Sequence, residues 1–302
     1  MTLPRTDVAV NSPLRGILYM CAAVALFPFL NATVKYLNTD YPTAQIVWAR
    51  YLGHFLFMVA LFMPRRGLSL FRTQAPKSQV VRSVLLLCST TFYFFALNFL
   101  PLTTAASISF TAPFIITALS VPLLGEQVGV RRWTAVAIGF LGMLLIVRPG
   151  TDVSHWAAWL VVASSTSYAL YTVLTRKMAT HGDDAATTIT YTAVVGAIVT
   201  SAIGPFVWVN PDHWFDWLLF ASMGFFGGLG HLFVVKSMQW AQASLVAPFG
   251  YGQLVGATVL GYLVFAQFPD LLSWCGIAII VACGIYITYR EGVRRAKPVA
   301  GR

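Results

Sequence analysis

Arg50 and His54 stand four residues apart in the apolar run 44–63, with Tyr51 beside the first of them. That spacing brings both side chains to one face of a helix. A planar guanidinium there can grip a carboxylate or phosphate through two parallel bonds, and an imidazole can exchange a proton near neutrality. An arginine within a membrane run costs at least ~2.5 kcal/mol, so it faces protein or a water-filled cavity. Two readings of Arg50 stand side by side: a clamp for an anionic solute, or a cation about two turns from the end of its run that snorkels to the membrane surface. His231 is the other histidine deep in an apolar run. For His54 and His231 the expectation is a neutral ring hydrogen-bonded to a neighbouring helix, with a pH-responsive role as the alternative.

Helix breakers point to a second cluster. Pro28, Pro113 and Pro248 each remove a backbone donor and free carbonyls that something must satisfy. Asn31 lies near the first; Ser107, Ser109 and Thr111 precede the second; Tyr251 and Gln253 follow the third. Polar side chains at broken helices suit a solute site near the bilayer midplane, and a kink repaired locally by serine or threonine is the simpler alternative. Rings inside the runs, including Tyr93, Tyr168 and Tyr171, offer stacking faces, although most such rings only pack. The candidate substrate-binding set is therefore Asn31, Arg50, His54, Tyr93, Ser109, Pro113, Tyr168, Tyr171, His231, Pro248 and Tyr251.

Catalysis has little to work with. All ten acidic residues fall at run ends, loops or termini, so the deep histidines have no carboxylate beside them and a membrane-embedded enzyme lacks its acid–base pair. Cys21, Cys88, Cys275 and Cys283 lie inside apolar runs, where a thiol behaves as a small apolar group. The last two match no zinc spacing and have no histidine nearby. No catalytic residue, cofactor or metal is expected. No nucleotide-binding loop is present, so hydrolysis drives nothing unless a partner supplies it.

The elements that must position these residues are membrane spans. Hydrophobic residues make up 58% of the chain and charged residues 10%, against about 25% charged in a soluble domain. Runs near the ~20 residues of a spanning helix occur at 14–34, 44–63, 80–98, 103–124 and 130–147, then at 156–175, 185–207, 215–235, 243–265 and 271–289. Short loops leave no room for a soluble domain. The first run lacks a small-residue cleavage site behind it, so a retained span is expected rather than a signal peptide.

Cations set the orientation. Seventeen of the twenty lysines and arginines collect on the side of the N-terminus, only Lys35 and Arg148 fall on the other, and Arg50 is left within a span. By the positive-inside rule both termini are cytoplasmic, and the net charge of +10 answers to the bilayer rather than to nucleic acid. Moving the first five runs along by 141 residues lays them on the second five; Trp133 falls on Trp274, Glu126 on Gln267 and Lys35 on Arg176. Five spans per half place the halves upside down relative to each other, a common plan of secondary transporters.

The stretch 104–150, TAASISFTAPFIITALSVPLLGEQVGVRRWTAVAIGFLGMLLIVRPG, resembles the end of an EamA domain of the drug/metabolite transporter superfamily, and 242–287, including ASLVAPFGYGQLVGA, resembles a second copy. The resemblance implies an all-α integral membrane protein of ten transmembrane helices in two inverted five-helix repeats, 14–148 and 156–290, with cytoplasmic tails 1–13 and 291–302. It implies a carrier of small organic metabolites in a bacterial inner membrane, with the fused form sufficient as a monomer. The FTAP and RRW segments are similar to members that take up riboflavin or S-adenosylmethionine as much as to amino-acid exporters. One departure is plain: the family's acidic residue after the fourth span of each half is kept as Glu126 and replaced by Gln267. The expected function is secondary transport by alternating access, around a site lined by spans one, three, four, six, eight and nine, with a membrane-embedded enzyme or a passive channel as the alternatives.

Overall fold

The computed structural model describes residues 12–147, 156–179, 184–267, 270–272, 274–279, 282–283 and 286. Among these the chain is helical and contains no strand. Helix α1 (Pro13–Leu37) opens on a proline, whose missing donor costs nothing in a first turn. It is followed by α2 (Thr43–Arg66), which runs on through a 3₁₀ turn to Phe71, and by α3 (Pro76–Ala96). The fourth span is two helices, α4 (Leu102–Ser109) and α5 (Thr111–Leu124). After α6 (Val130–Val147) come α7 (Ala157–Ala179), α8 (Ala185–Thr200) and α9 (Trp214–Trp240). A one-turn α10 (Ala243–Val246) then passes through the 3₁₀ segment Ala247–Gly252 into α11 (Gln253–Phe265).

Seven of these units are long and apolar enough to cross a membrane: α1, α2 with its 3₁₀ extension, α3, α4–α5, α7, α9 and α10–α11. The apolar part of α6, Trp133–Gly142, and α8 are shorter. The expected tenth span, 271–289, is described only in part. Arg148, Asp152, Asp183, Glu291 and the outer parts of both expected tails lie outside the described residues.

The fourth span breaks at Phe110, three residues ahead of Pro113, where the proline alone draws attention in the sequence. A proline ring collides with the carbonyl four residues back, and for Pro113 that residue is Ser109, the last of α4. A hydroxyl answers one carbonyl at the break, Thr111 Oγ1 donating to Ile108 O at 3.0 Å, while Ser109 Oγ bonds back to Ala105 O at 2.9 Å within α4. Pro28, by contrast, leaves α1 uninterrupted. The ninth span has the same plan, its 3₁₀ segment beginning one residue before Pro248.

Two features recur at a distance of 141 residues. Leu102–Leu124 and Ala243–Phe265 begin and end that far apart. Both finish on a left-handed residue, Gly125 at φ 64° and Ala266 at φ 53°. Glycine adopts that conformation freely, while alanine does so only where the surroundings enforce it.

The first three helices pack against the later ones, α1 and α2 on α9 and α3 on α7. Glycines on α9 permit the approach. Gly224 meets the backbone of Gly53, leaving no room for a Cβ, and Gly230 lies under the Phe27 ring.

Candidate functional site

A central cavity encloses about 960 Å³ of space, the open solvent at its mouth included. Its walls come from α1, α3, α4–α5, α7, α9 and α10–α11, with Arg50 reaching in from α2. Seven of the eleven sequence candidates line it: Asn31, Arg50, Tyr93, Ser109, Pro113, Tyr168 and His231. The other four lie outside the lining. His54 is buried on α2 against Gly228, and Tyr171 packs beyond Tyr168, at 5.8 Å between ring centres. Pro248 sits in the 3₁₀ segment, and the Tyr251 ring packs on Phe110 at 5.3 Å.

The candidate set omits small polar groups that complete the wall: Ser89, Thr90, Ser164, Ser165, Thr172 and Gln253. Ser164 Oγ donates to Ser89 O at 2.7 Å, tying α7 to α3. The spacing of Ser165, Tyr168 and Thr172 is a helical-face signal that draws little notice among apolar neighbours.

Arg50 does not snorkel. It is 1% exposed, enclosed by protein, and its Nε and Nη1 have no hydrogen-bond partner. The guanidinium carbon lies 4.5 Å from the Tyr51 ring centre and 5.8 Å from that of Phe94. Among the described residues, no ion pair includes it. The histidines also depart from expectation, because both ring nitrogens of His54 and Nδ1 of His231 lack hydrogen-bond partners. Their surroundings explain this: His54 is pressed on the bare backbone of Gly228, and the His231 ring lies tilted against Phe27 at 4.9 Å between centres.

Arg82, counted with the cytoplasmic cations, is fully buried. It donates to Thr175 Oγ1, Gln79 Oε1, Thr192 Oγ1 and the carbonyl of Thr188, joining α3 to α7 and α8. Apart from Gln79, one turn back on the same helix, those acceptors lie about a hundred residues away along the chain, so no local pattern announces them.

Contacts beyond the cavity differ at its two ends. Near Gly125, the Glu126 carboxylate accepts from Ala243 N at 2.9 Å through Oε1, and from Ser244 N at 3.0 Å and Ser244 Oγ at 2.6 Å through Oε2. It thereby caps the start of the ninth span. Ser237 Oγ donates to Gly16 O at 2.7 Å and Arg176 Nη1 to Met238 O at 2.6 Å, thickening the same end. At the opposite end Lys35 Nζ donates to Leu97 O at 3.3 Å and Leu100 O at 3.0 Å. Leu97 stands 141 residues before Met238, as Lys35 does before Arg176. The counterpart of the Glu126–Ser244 pair is Gln267–Thr103. Both residues face Gly261, yet Gln267 Oε1 is buried with no hydrogen-bond partner.

The chain matches the EamA-like transporter family over residues 14–148 and again over 155–290. It is 25% identical to the S-adenosylmethionine uptake transporter of Rickettsia felis over 94% of this chain and 95% of that protein. Identity to the riboflavin transporter of Vibrio cholerae is 27%, covering 93% and 95% of the two chains. Identity to the pseudopaline exporter of Pseudomonas aeruginosa is 28%, covering 89% and 94%. A crystal structure with a TM-score of 0.75, at 19% identity and covering 91% of this chain and 97% of the other, shares the fold.

Proposed function

Because the chain belongs to the EamA-like transporter family, we propose that this small-metabolite transporter is a secondary carrier whose two halves rock about the central cavity. Ten helices form two inverted five-helix repeats, 14–148 and 156–290, in a bacterial inner membrane with both termini cytoplasmic. Nucleotide hydrolysis plays no part.

One observation carries this reading. Equivalent positions at the two ends of the cavity are bonded at one end, Glu126 to Ser244, and not at the other, where Gln267 Oε1 has no hydrogen-bond partner. A pseudo-symmetric bundle has two nearly equivalent packings, one open to each side, and a clasp closed at one end only suits one of them. By the distribution of cations the closed end is cytoplasmic. A channel needs a continuous pore lined by like polar groups, whereas the wall here is mostly apolar and Glu126, Ser237 and Arg176 tie separate helices to one another.

The cargo is a small polar organic metabolite. The named solutes of the relatives, S-adenosylmethionine and riboflavin, are the first to try, together with amino acids. Asn31, Arg50, Tyr93, Ser109, Pro113, Tyr168 and His231 form the binding wall. The purified chain in proteoliposomes takes up one of these solutes with saturable kinetics, driven by a gradient alone. Uptake that rises linearly with concentration refutes the carrier reading.

A further inference from the structure

We propose that Arg50 is the receptor for a carboxylate on the transported solute, an inference that rests on the carrier reading and assigns its substrate class. Arginine presents five N–H donors in one plane and has no neutral form in a protein. Here Nε and Nη1 are buried without hydrogen-bond partners at a cavity wall. Tyr51 and Phe94 offer the guanidinium their ring faces, which attract the charge but leave the in-plane donors unused. Gly227 keeps the Nε side bare, since a Cβ there would stand 3.3 Å from that nitrogen.

Among the described residues, none forms an ion pair with Arg50. The cavity wall contains no aspartate or glutamate; around Arg50 it offers aliphatic side chains, rings and neutral polar groups. Arg82, the other buried arginine, differs in that threonine and glutamine oxygens accept from both of its Nη groups. Burial of a cation is tolerated when an anion or a full set of acceptors answers it. The cavity wall provides neither for Arg50, and a solute with an oxyanion provides both.

One guanidinium matches one negative charge. A phosphate group carries about −1.5 to −2 at neutral pH and would leave charge unanswered, whereas a carboxylate takes two parallel bonds and is balanced. Any cationic part of the same solute finds no acid in the wall and falls instead on ring faces such as Tyr93 and Tyr168. The solute is therefore a carboxylate with a flat or apolar body.

The test pairs acids with counterparts that lack the carboxylate: S-adenosylmethionine with its decarboxylated form, indole-3-acetate with indole-3-acetamide, and nicotinate with nicotinamide. Each is titrated against the purified full chain by thermal shift, which reports ligand binding through mass action. At least one acid raises the melting temperature and its counterpart does not. Arg50→Gln binds that acid roughly 10- to 100-fold more weakly, as expected for a buried hydrogen bond to a charged group, and Arg50→Lys, which keeps the charge without the fork, retains part of the affinity. Unliganded Arg50→Gln melts at or above the wild-type temperature, because a cation without a counter-ion has been removed. The proposal is overturned if no acid stabilises the wild type, if an acid and its counterpart act alike, if Arg50→Gln binds as well as wild type, or if unliganded Arg50→Gln melts clearly lower, which marks a structural cation. Saturable uptake of riboflavin with no acid bound defeats the clamp and spares the carrier; acid bound but never carried across defeats the carrier and spares the clamp.

Discussion

On the proposed mechanism, Glu126→Gln loosens the end of the cavity that Glu126 and Ser244 close. The native carboxylate answers three donors, Ala243 N, Ser244 N and Ser244 Oγ, at 2.6–3.0 Å. A glutamine amide turns its NH₂ toward one of the two backbone donors, so at least one bond is lost and the survivors no longer have a charged acceptor. A hydrogen bond to a charged group contributes about 1.5–3 kcal/mol, so the closed arrangement loses roughly 2 kcal/mol, about a 30-fold shift in the ratio of the two packings. The assay uses a cysteine at Met238, fully buried in the cavity wall beside this end, in a background without the four native cysteines. A membrane-impermeant maleimide applied to the cytoplasmic face labels it slowly in the parent and up to ~30-fold faster with Glu126→Gln. Gln267→Glu, which gives the opposite end a charged acceptor for the backbone donors near Thr103, moves the ratio the same way and adds to the effect. Equal or slower labelling in Glu126→Gln, with the protein still folded, refutes the gating role of the clasp.

Other consequences concern stability. Gly224→Ala drives a methyl group into the Gly53 backbone and lowers stability by about 1–3 kcal/mol, read as a lower melting temperature in detergent. Tyr41→Phe removes the 2.7 Å bond from the Tyr41 hydroxyl to the buried Asp216 carboxylate and costs about 1–3 kcal/mol. Burial, then the bond to Asp216, pushes the Tyr41 phenol up to about 12. The raised value means that this contribution is complete below about pH 10 and disappears as the pH climbs through about 12, so wild type and Tyr41→Phe converge in stability at the alkaline end of a melting series.

Much of the site was legible because helical spacing and cost in a membrane are local properties. Arg50 stands out in an apolar run for its desolvation cost alone, and the position of Glu126 opposite Gln267 follows from a shift in register. What escaped reading depends on partners far away in the chain. Arg82 reads as an interfacial cation until Thr175, Thr188 and Thr192 are folded around it. His54 was expected to find an acceptor on a neighbouring helix, but the residue that meets it is glycine, which brings backbone and no polar side chain. Pro113 marks the broken span, yet the break itself falls at Phe110, because the proline acts on the carbonyl behind it. Ser89 and Ser164 line the cavity as one cross-helix pair, and neither is conspicuous alone.

Counterflow tests the central claim most directly. Proteoliposomes containing the chain are preloaded with unlabelled S-adenosylmethionine or riboflavin and diluted into a trace of the same labelled solute. The account predicts that, for the transported solute, preloading accelerates labelled uptake and produces a transient overshoot, because each return of the loaded site carries a solute across. Labelled entry that is indifferent to the solute on the far side would contradict it and leave a pore in place of a carrier.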